Sequence, residues 1–208
     1  MTFNETLILF AAAVFAVTGV LAAARQNMDV LTFVVIGVVT AVGGGTLRDI
    51  TLDRPVFWLH DPTFLYVATG AAIATFFFEQ KFRATYNALL YLDAVGTAVF
   101  TVLATERTID AGFPAGVALV MGVITGIGGG LIRDLLTSQP TILTRRELYM
   151  TPILLGIGVY VIGLQIPTLD REWLARIAIA VIAAVRMGAI RWGWAFPDWL
   201  TYKPLKMR

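Results

Sequence analysis

The chain is 208 residues long, 58% hydrophobic and only 14% charged, with a mean hydropathy of +0.77 and a formal net charge of +2. A soluble domain carries about a quarter charged residues, so this chain has too few to cover a water-facing surface, and it reads as an integral membrane protein with no room for a sizeable soluble domain. There is no cysteine, which excludes disulfides, iron–sulfur clusters and thiolate metal sites, and the one histidine, His60, cannot form a histidine metal site alone.

A helix crosses the hydrocarbon core with about 20 mainly apolar residues. Seven stretches qualify. The first, 5–23, ends near Ala22, Ala23 and Ala24, which resemble a signal cleavage site. It carries Glu5 and no Lys or Arg before Arg25, whereas a secretory signal needs a positive start, so it is read as a retained span. The second covers 30–45 and continues to 52, the third 63–78 and the fourth 87–105. The fifth covers 113–130 and continues to 136, the sixth 148–164 and the seventh 173–190.

The second and fifth spans are copies. GGGTLRD at 43–49 recurs as GGGLIRD at 128–134, an offset of 128 − 43 = 85, and ungapped pairing gives ten identities in the 22 positions 34–55. The chain is therefore an internal duplication, spans 1–3 followed by spans 4–6, with span 7 unpaired. Three is odd, so the second copy enters the membrane upside down, the inverted-repeat arrangement of transport folds. The expected architecture is all-α: residues 1–83 form the first three-helix repeat, 84–165 the inverted second, and 166–208 the seventh helix and a cytoplasmic tail.

Lys and Arg bias sets direction. With the N-terminus outside, the inner segments hold ten basic residues (Arg25, Lys81, Arg83, Arg133, Arg145, Arg146, Arg191, Lys203, Lys206 and Arg208). The outer segments hold four: Arg48, Arg54, Arg107 and Arg171. This favours N-terminus out and C-terminus in, and it puts Trp192, Trp194 and Trp199 near the inner interface as an aromatic belt. The late basic residues suit an anionic lipid surface better than nucleic acid.

Three consecutive glycines inside a span cost about 1 kcal/mol each against alanine, and a triplet invites a kink or unwinding. Non-helical backbone at membrane depth is tolerated only where protein buries it or water reaches it. One reading is that Gly43, Gly44 and Gly45 with Gly128, Gly129 and Gly130 bend spans 2 and 5 around an aqueous path, their carbonyls replacing part of an ion's hydration shell. The other, compatible with it, is close helix packing. No Gly-Lys-Ser/Thr follows either triplet, so a phosphate loop does not fit.

Arg48 with Asp49, and Arg133 with Asp134, follow the triplets. Neighbours on a helix do not share a face, so each Arg is expected to find a partner other than the adjacent Asp. Asp93 is in reach of Arg133, and by the same logic Glu5 of Arg48. The alternative is that both pairs lie at the interface and the arginines snorkel. Thr40 and Thr125, one turn before the triplets, either line a pore or bond back to the previous turn. Phe15 and Phe100 match at the same offset and suit packing. Pro55 and Pro140 are expected to stop the helix extensions, and His60 to sit in a loop.

The doubled GGGxxRD, the seven spans and the length resemble the bacterial trimeric intracellular cation (TRIC) channel family over about residues 5–190. The same group is described as a glycine-transporter domain family, so the label leaves the substrate open. The resemblance implies a homotrimer in the bacterial inner membrane, with a pore in each protomer. It implies that the glycine-kinked spans 2 and 5 line that pore, that Arg48 and Arg133 are charges near it, and that monovalent cations, chiefly potassium with sodium possible, permeate. No cofactor or metal is implied.

The expected function is thus a potassium channel. Two arginines near the path would repel cations unless Asp49, Asp134 or Asp93 neutralises them or an arginine gates. The alternative is a secondary transporter of a small zwitterion such as glycine, with Arg holding the carboxylate and Asp the ammonium. An enzyme is not indicated, since no nucleophile–base pair or metal-ligand spacing is evident.

Overall fold

The computed structural model describes residues 3–26, 28–82, 86–141, 143 and 148–197, with side chains for all of these except 3, 80–82 and 86. Eight helices are present among them: α1 (Phe3–Ala23), α2 (Val30–Thr51), α3 (Phe57–His60), α4 (Thr63–Phe82), α5 (Tyr86–Asp110), α6 (Ala115–Leu136), α7 (Met150–Gly163) and α8 (Arg171–Trp192). The seven long ones coincide with the seven expected spans. The eighth, α3, is a single turn that the hydropathy pattern does not reveal, and it carries His60, which was expected in a loop. Arg83, Arg145, Arg146, Lys203, Lys206, Arg208, Trp199 and the side chain of Lys81 lie outside the described residues.

α5 runs to Asp110, five residues past the expected end at 105. An apolar window stops at the first charges, Glu106 and Arg107, but the backbone has no reason to stop there. α7 is the short one at 14 residues, or about 21 Å at 1.5 Å per residue. α1, α2, α5, α6 and α8 are each long and apolar enough to cross a membrane. Their outer faces expose Leu31, Ile50, Leu135, Trp173 and others, an apolar exterior suited to lipid. α2 starts at an Asp29 cap whose carboxylate accepts from Thr32 N–H and hydroxyl at 3.0 and 2.9 Å. Those bonds hold its pKa below the usual carboxylate value.

The contacts fix relative direction. Along α1 and α5, Asn4 Nδ2 donates to Glu106 Oε2 (3.2 Å). The Phe15 and Phe100 rings pack with centroids 5.1 Å apart, and Leu21 and Ala22 join Leu89 and Leu90 in one core cluster. Rising numbers on one helix meet falling numbers on the other, so these equivalent helices are antiparallel. α2 and α6 are antiparallel by the same test, since Thr40 meets Gly129 and Gly44 meets Thr125. The repeats α1–α2–α4 and α5–α6–α7 are therefore inverted copies, and α8, packed on α5 and α7, has no counterpart.

α1 and α5 form the buried centre. Ala11, Ala12, Phe15, Ala16, Ala98, Val99, Phe100 and Val102 are all at or below 4% exposure. Lipid provides no hydrophobic drive between helices, so small residues that let backbones approach do the packing. Phe15 and Phe100 thus take the packing role expected of them.

Candidate permeation site

Gly37, Ala41, Gly44 and Arg48 recur at three- and four-residue steps and so share one face of α2, and Gly122, Gly126, Gly129 and Arg133 do the same on α6. These faces point inward: Gly37, Ala41, Gly44, Arg48, Gly122, Gly126, Gly129 and Arg133 are all buried. Both helices stay α-helical through their triplets, so unwinding, one of the two expected distortions, does not occur. The cost of glycine in the helix is offset by contact instead. A Cβ on Gly44 would collide with the Thr125 carbonyl, and one on Gly129 with the Thr40 carbonyl. Each glycine hydrogen therefore points at a carbonyl of the other helix, the Cα–H···O contact seen where helices cross closely. A Cβ on Gly128 would stand 3.1 Å from the Gly44 Cα. The triplets are the crossing point of α2 and α6.

Thr40 and Thr125 donate their hydroxyls back to Ile36 O (2.6 Å) and Met121 O (2.7 Å). Of the two roles left open for them, the structure records the bond to the previous turn.

Both helix ends close by the same device, offset by 85. Arg54 N–H bonds Asp49 O and Gln139 N–H bonds Asp134 O, each at 2.9 Å, while Asp53 N–H bonds Ile50 O and Ser138 N–H bonds Leu135 O, each at 3.2 Å. This is the Schellman pattern, with Asp53 (φ 51°) and Ser138 (φ 50°) in the left-handed position. The helices thus end at Thr51 and Leu136, before Pro55 and Pro140, which follow an end already closed rather than causing it.

The Arg-Asp neighbours pair directly, against expectation. Arg48 Nε and Nη2 lie 2.8 and 2.6 Å from Asp49 Oδ1, and Arg133 Nε lies 2.8 Å from Asp134 Oδ1. Arg133 Nη2 is also 2.8 Å from that oxygen, an ion-pair contact outside hydrogen-bond geometry. The rule that neighbours face apart concerns Cβ directions, and a four-atom arginine stem is long enough to curl round the helix. None of these residues exceeds 5% exposure, so the arginines are held by protein rather than snorkelling. Four residues past Gly44 or Gly129, the helix returns to the same inward face.

From here the two copies diverge. Arg133 Nη1 also donates to Asp93 Oδ1 (2.9 Å) and Thr18 Oγ1 (3.0 Å), so the expected Asp93 partnership is present. Two carboxylates, Asp93 and Asp134, thus share the Arg133 guanidinium. At the offset of 85, Ile8 and Leu103 stand where Asp93 and Thr18 mirror across the repeat, so Arg48 has no such partners. Asp49 Oδ2 instead accepts the Phe57 N–H at 2.9 Å, pinning α3 to the end of α2. Glu5 shares cavity walls with Arg107 rather than forming the pair with Arg48 that was expected.

The Arg48 end is open. Three adjoining cavities of about 290, 410 and 220 Å³ have Arg107 in their walls, with Arg48, Asp49 and Asp110 in the first, Glu5 and Asp61 in the second, and Asn4, Glu5 and Glu106 in the third. Arg107 makes no hydrogen bond or ion pair among the described residues. The mirror positions of Glu106 and Arg107 are Leu21 and Ala22, both buried, so one end of the bundle is polar where the other is apolar. Glu106, Arg107 and Thr18 did not stand out in the sequence. The signal available was their departure from the repeat at offset 85.

A family model described as glycine transporter matches residues 5–80 and 90–165, again 85 apart. The inner membrane protein YadS of Escherichia coli (strain K12) is 40% identical over 187 residues, covering 89% of this chain and 90% of that protein. A membrane protein of Vibrio cholerae is 36% identical over 197 residues, covering 94% of this chain and 82% of that protein. Among solved structures, the TRIC trimeric intracellular cation channel orthologue from Rhodobacter sphaeroides superposes with a TM-score of 0.88 at 39% identity, covering 93% of this chain and all of that one. A second TRIC cation channel superposes with a TM-score of 0.85 at 27% identity over the full length of both chains.

Proposed function

The chain belongs to the TRIC family, the group that the glycine-transporter model describes, and on that footing we propose that it is a potassium-conducting channel with one pathway in each protomer. The path runs beside the crossing of α2 and α6, from the polar cavities at Arg48 and Arg107 to the Arg133 cluster. Gly43, Gly44, Gly45, Gly128, Gly129 and Gly130 set its waist, by holding the two helices in contact. Small movements of either helix then change the gap next to them.

The observation that carries this reading is the charge balance around the arginines. Asp49 pairs with Arg48, and Asp93 and Asp134 both pair with Arg133. The charges of Arg48 and Arg133 are each met by a carboxylate, which lowers the barrier that these two would raise to a cation, while Arg107 stays in the wall of the outer cavities among Glu5, Glu106 and Asp110. Assembly as a homotrimer in the bacterial inner membrane, with the N-terminus outside, is part of the proposal. It is supported by the relatives' names and by the basic-residue bias.

A transporter of a small zwitterion is the second reading. Arg107 favours it: a guanidinium in a cavity wall beside Glu5 and Glu106 offers complementary ends to a carboxylate and an ammonium.

Purified protein in liposomes separates the two. Potassium efflux that sets the membrane potential, without saturable uptake of labelled glycine, establishes the channel. Saturable glycine uptake with no independent potassium conductance overturns it. Leucine at both Gly44 and Gly129 should block the flux, and undiminished flux would remove the triplets from the mechanism.

A further inference from the structure

α8 lies outside the repeat, yet it buries a charge. Arg186 is fully buried, and an ionisable residue inside a span is costly enough to need a reason. Its Nη1 donates to Leu148 O at 3.0 Å, and its guanidinium sits 4.3 Å from the centre of the Tyr149 ring, a cation–π contact. Nε and Nη2 have no hydrogen-bond partner among the described residues. A methionine or leucine would fill the same space more cheaply, so packing alone does not account for this guanidinium.

Tyr149 carries the connection inward. Its hydroxyl lies 3.4 Å from Asp93 Oδ2 and 3.4 Å from Thr97 Oγ1. The other oxygen of Asp93 holds Arg133 at 2.9 Å. Arg186, Tyr149, Asp93 and Arg133 thus form one line from α8 through α5 to α6.

The repeat shows that this line is confined to one half. At the offset of 85, Tyr149, Asp93 and Thr97 correspond to Phe64, Ile8 and Ala12, and those three are buried together in one apolar cluster. The same fold position is satisfied by apolar side chains in the half that α8 does not cover. It is polar in the half that α8 does cover.

We propose that Arg186 is a positioning residue for the permeation path: it holds Tyr149, Tyr149 fixes Asp93, and Asp93 fixes Arg133, so that α8 sets how firmly the Arg133 end of the path is closed. This rests on the channel reading above. The test uses the full-length protein in planar bilayers, with hydrogen–deuterium exchange at the amides of residues 128–137 as a readout that needs no conduction. Wild-type potassium conductance tests the channel reading by itself.

Arg186→Met and Tyr149→Phe should each raise the open probability, and the exchange at 128–137, roughly three- to tenfold, the range one buried hydrogen bond commands. Single-channel conductance should stay unchanged. The double variant should go no further than the larger single one, and Arg186→Lys, which keeps a cation over the ring, should restore most of the wild-type behaviour. Arg176→Met, which removes an arginine of the same helix that pairs with Glu172 and lies over Trp173, should change nothing. Wild-type exchange and open probability in Arg186→Met overturn the proposal, as does full additivity with Tyr149→Phe. If Arg186→Met does not fold, Tyr149→Phe decides, because it removes only a hydroxyl and its silence would break the line. A wild-type protein that conducts nothing sinks the channel reading, while the exchange measurement still judges the coupling.

Discussion

Gly44 on α2 and Gly129 on α6 pack reciprocally, each receiving the carbonyl of the threonine four residues before the other: Thr125 O over Gly44, and Thr40 O over Gly129. A side chain at either place meets backbone, which cannot rotate away. Gly44→Ala and Gly129→Ala should therefore force the helices apart and cost on the order of 1–3 kcal/mol. Gly43→Ala would meet only the Ile132 Cδ1, at 2.8 Å, the flexible end of a side chain, and should cost less than either. Thermal unfolding in detergent ranks the three. Equal losses would mean that the triplet matters as a helix-weakening run rather than as a contact.

Asp93 is fully buried and bonds the buried Arg133. Removing one partner of such a pair leaves a charge uncompensated, at a cost of about 3–5 kcal/mol. Asp134 remains beside Arg133, so Asp93→Ala should fall at or below the low end of that range. Arg133→Met alone leaves both Asp93 and Asp134 without that guanidinium and should cost more than Asp93→Ala. Adding Asp93→Ala to Arg133→Met should recover part of that loss, and a double variant no more stable than Arg133→Met alone, in denaturant unfolding, would mean the pair does not act as a unit.

Asp49→Asn keeps an acceptor for the Phe57 N–H and removes the charge opposed to Arg48. Potassium flux should fall several-fold in liposomes at low ionic strength. The deficit should shrink as salt rises, because the pair borders an open cavity and the Debye length drops to about 10 Å at 0.1 M. A deficit independent of salt would point to a changed structure instead of a changed field.

The hydroxyls of Thr40 and Thr125 are already engaged with the preceding turn. Thr40→Val and Thr125→Val should leave single-channel conductance within about twofold, because a hydroxyl that bonds back to its own helix is not presented to an ion. A large fall in conductance would show that the hydroxyls turn toward the path when the channel opens.

Much of the architecture is legible in one dimension because a duplication and a bilayer are both periodic constraints. The offset of 85 identifies the two copies, and an odd number of spans per copy forces inversion. The antiparallel meeting of Phe15 with Phe100 then follows from the fold. The charge of Asp93 inside a span likewise demands a cation, and only helix direction was needed to name Arg133.

What tertiary structure decided concerns distance and neighbours. Glycine's weak helix propensity is a property of the isolated chain, and it suggested that the triplets would break. In the bundle the same missing Cβ lets two backbones touch, so α2 and α6 remain helical. Arginine's reach let Arg48 and Arg133 close onto adjacent aspartates that a helical wheel places apart. Arg186 reads in sequence only as a basic residue within the seventh span, and only the fold lays it on Tyr149. The polar end at Glu106 and Arg107 and the apolar one at Leu21 and Ala22 are equivalent by descent. Which of them faces a cavity depends on what packs around each, and no local pattern in the chain encodes that.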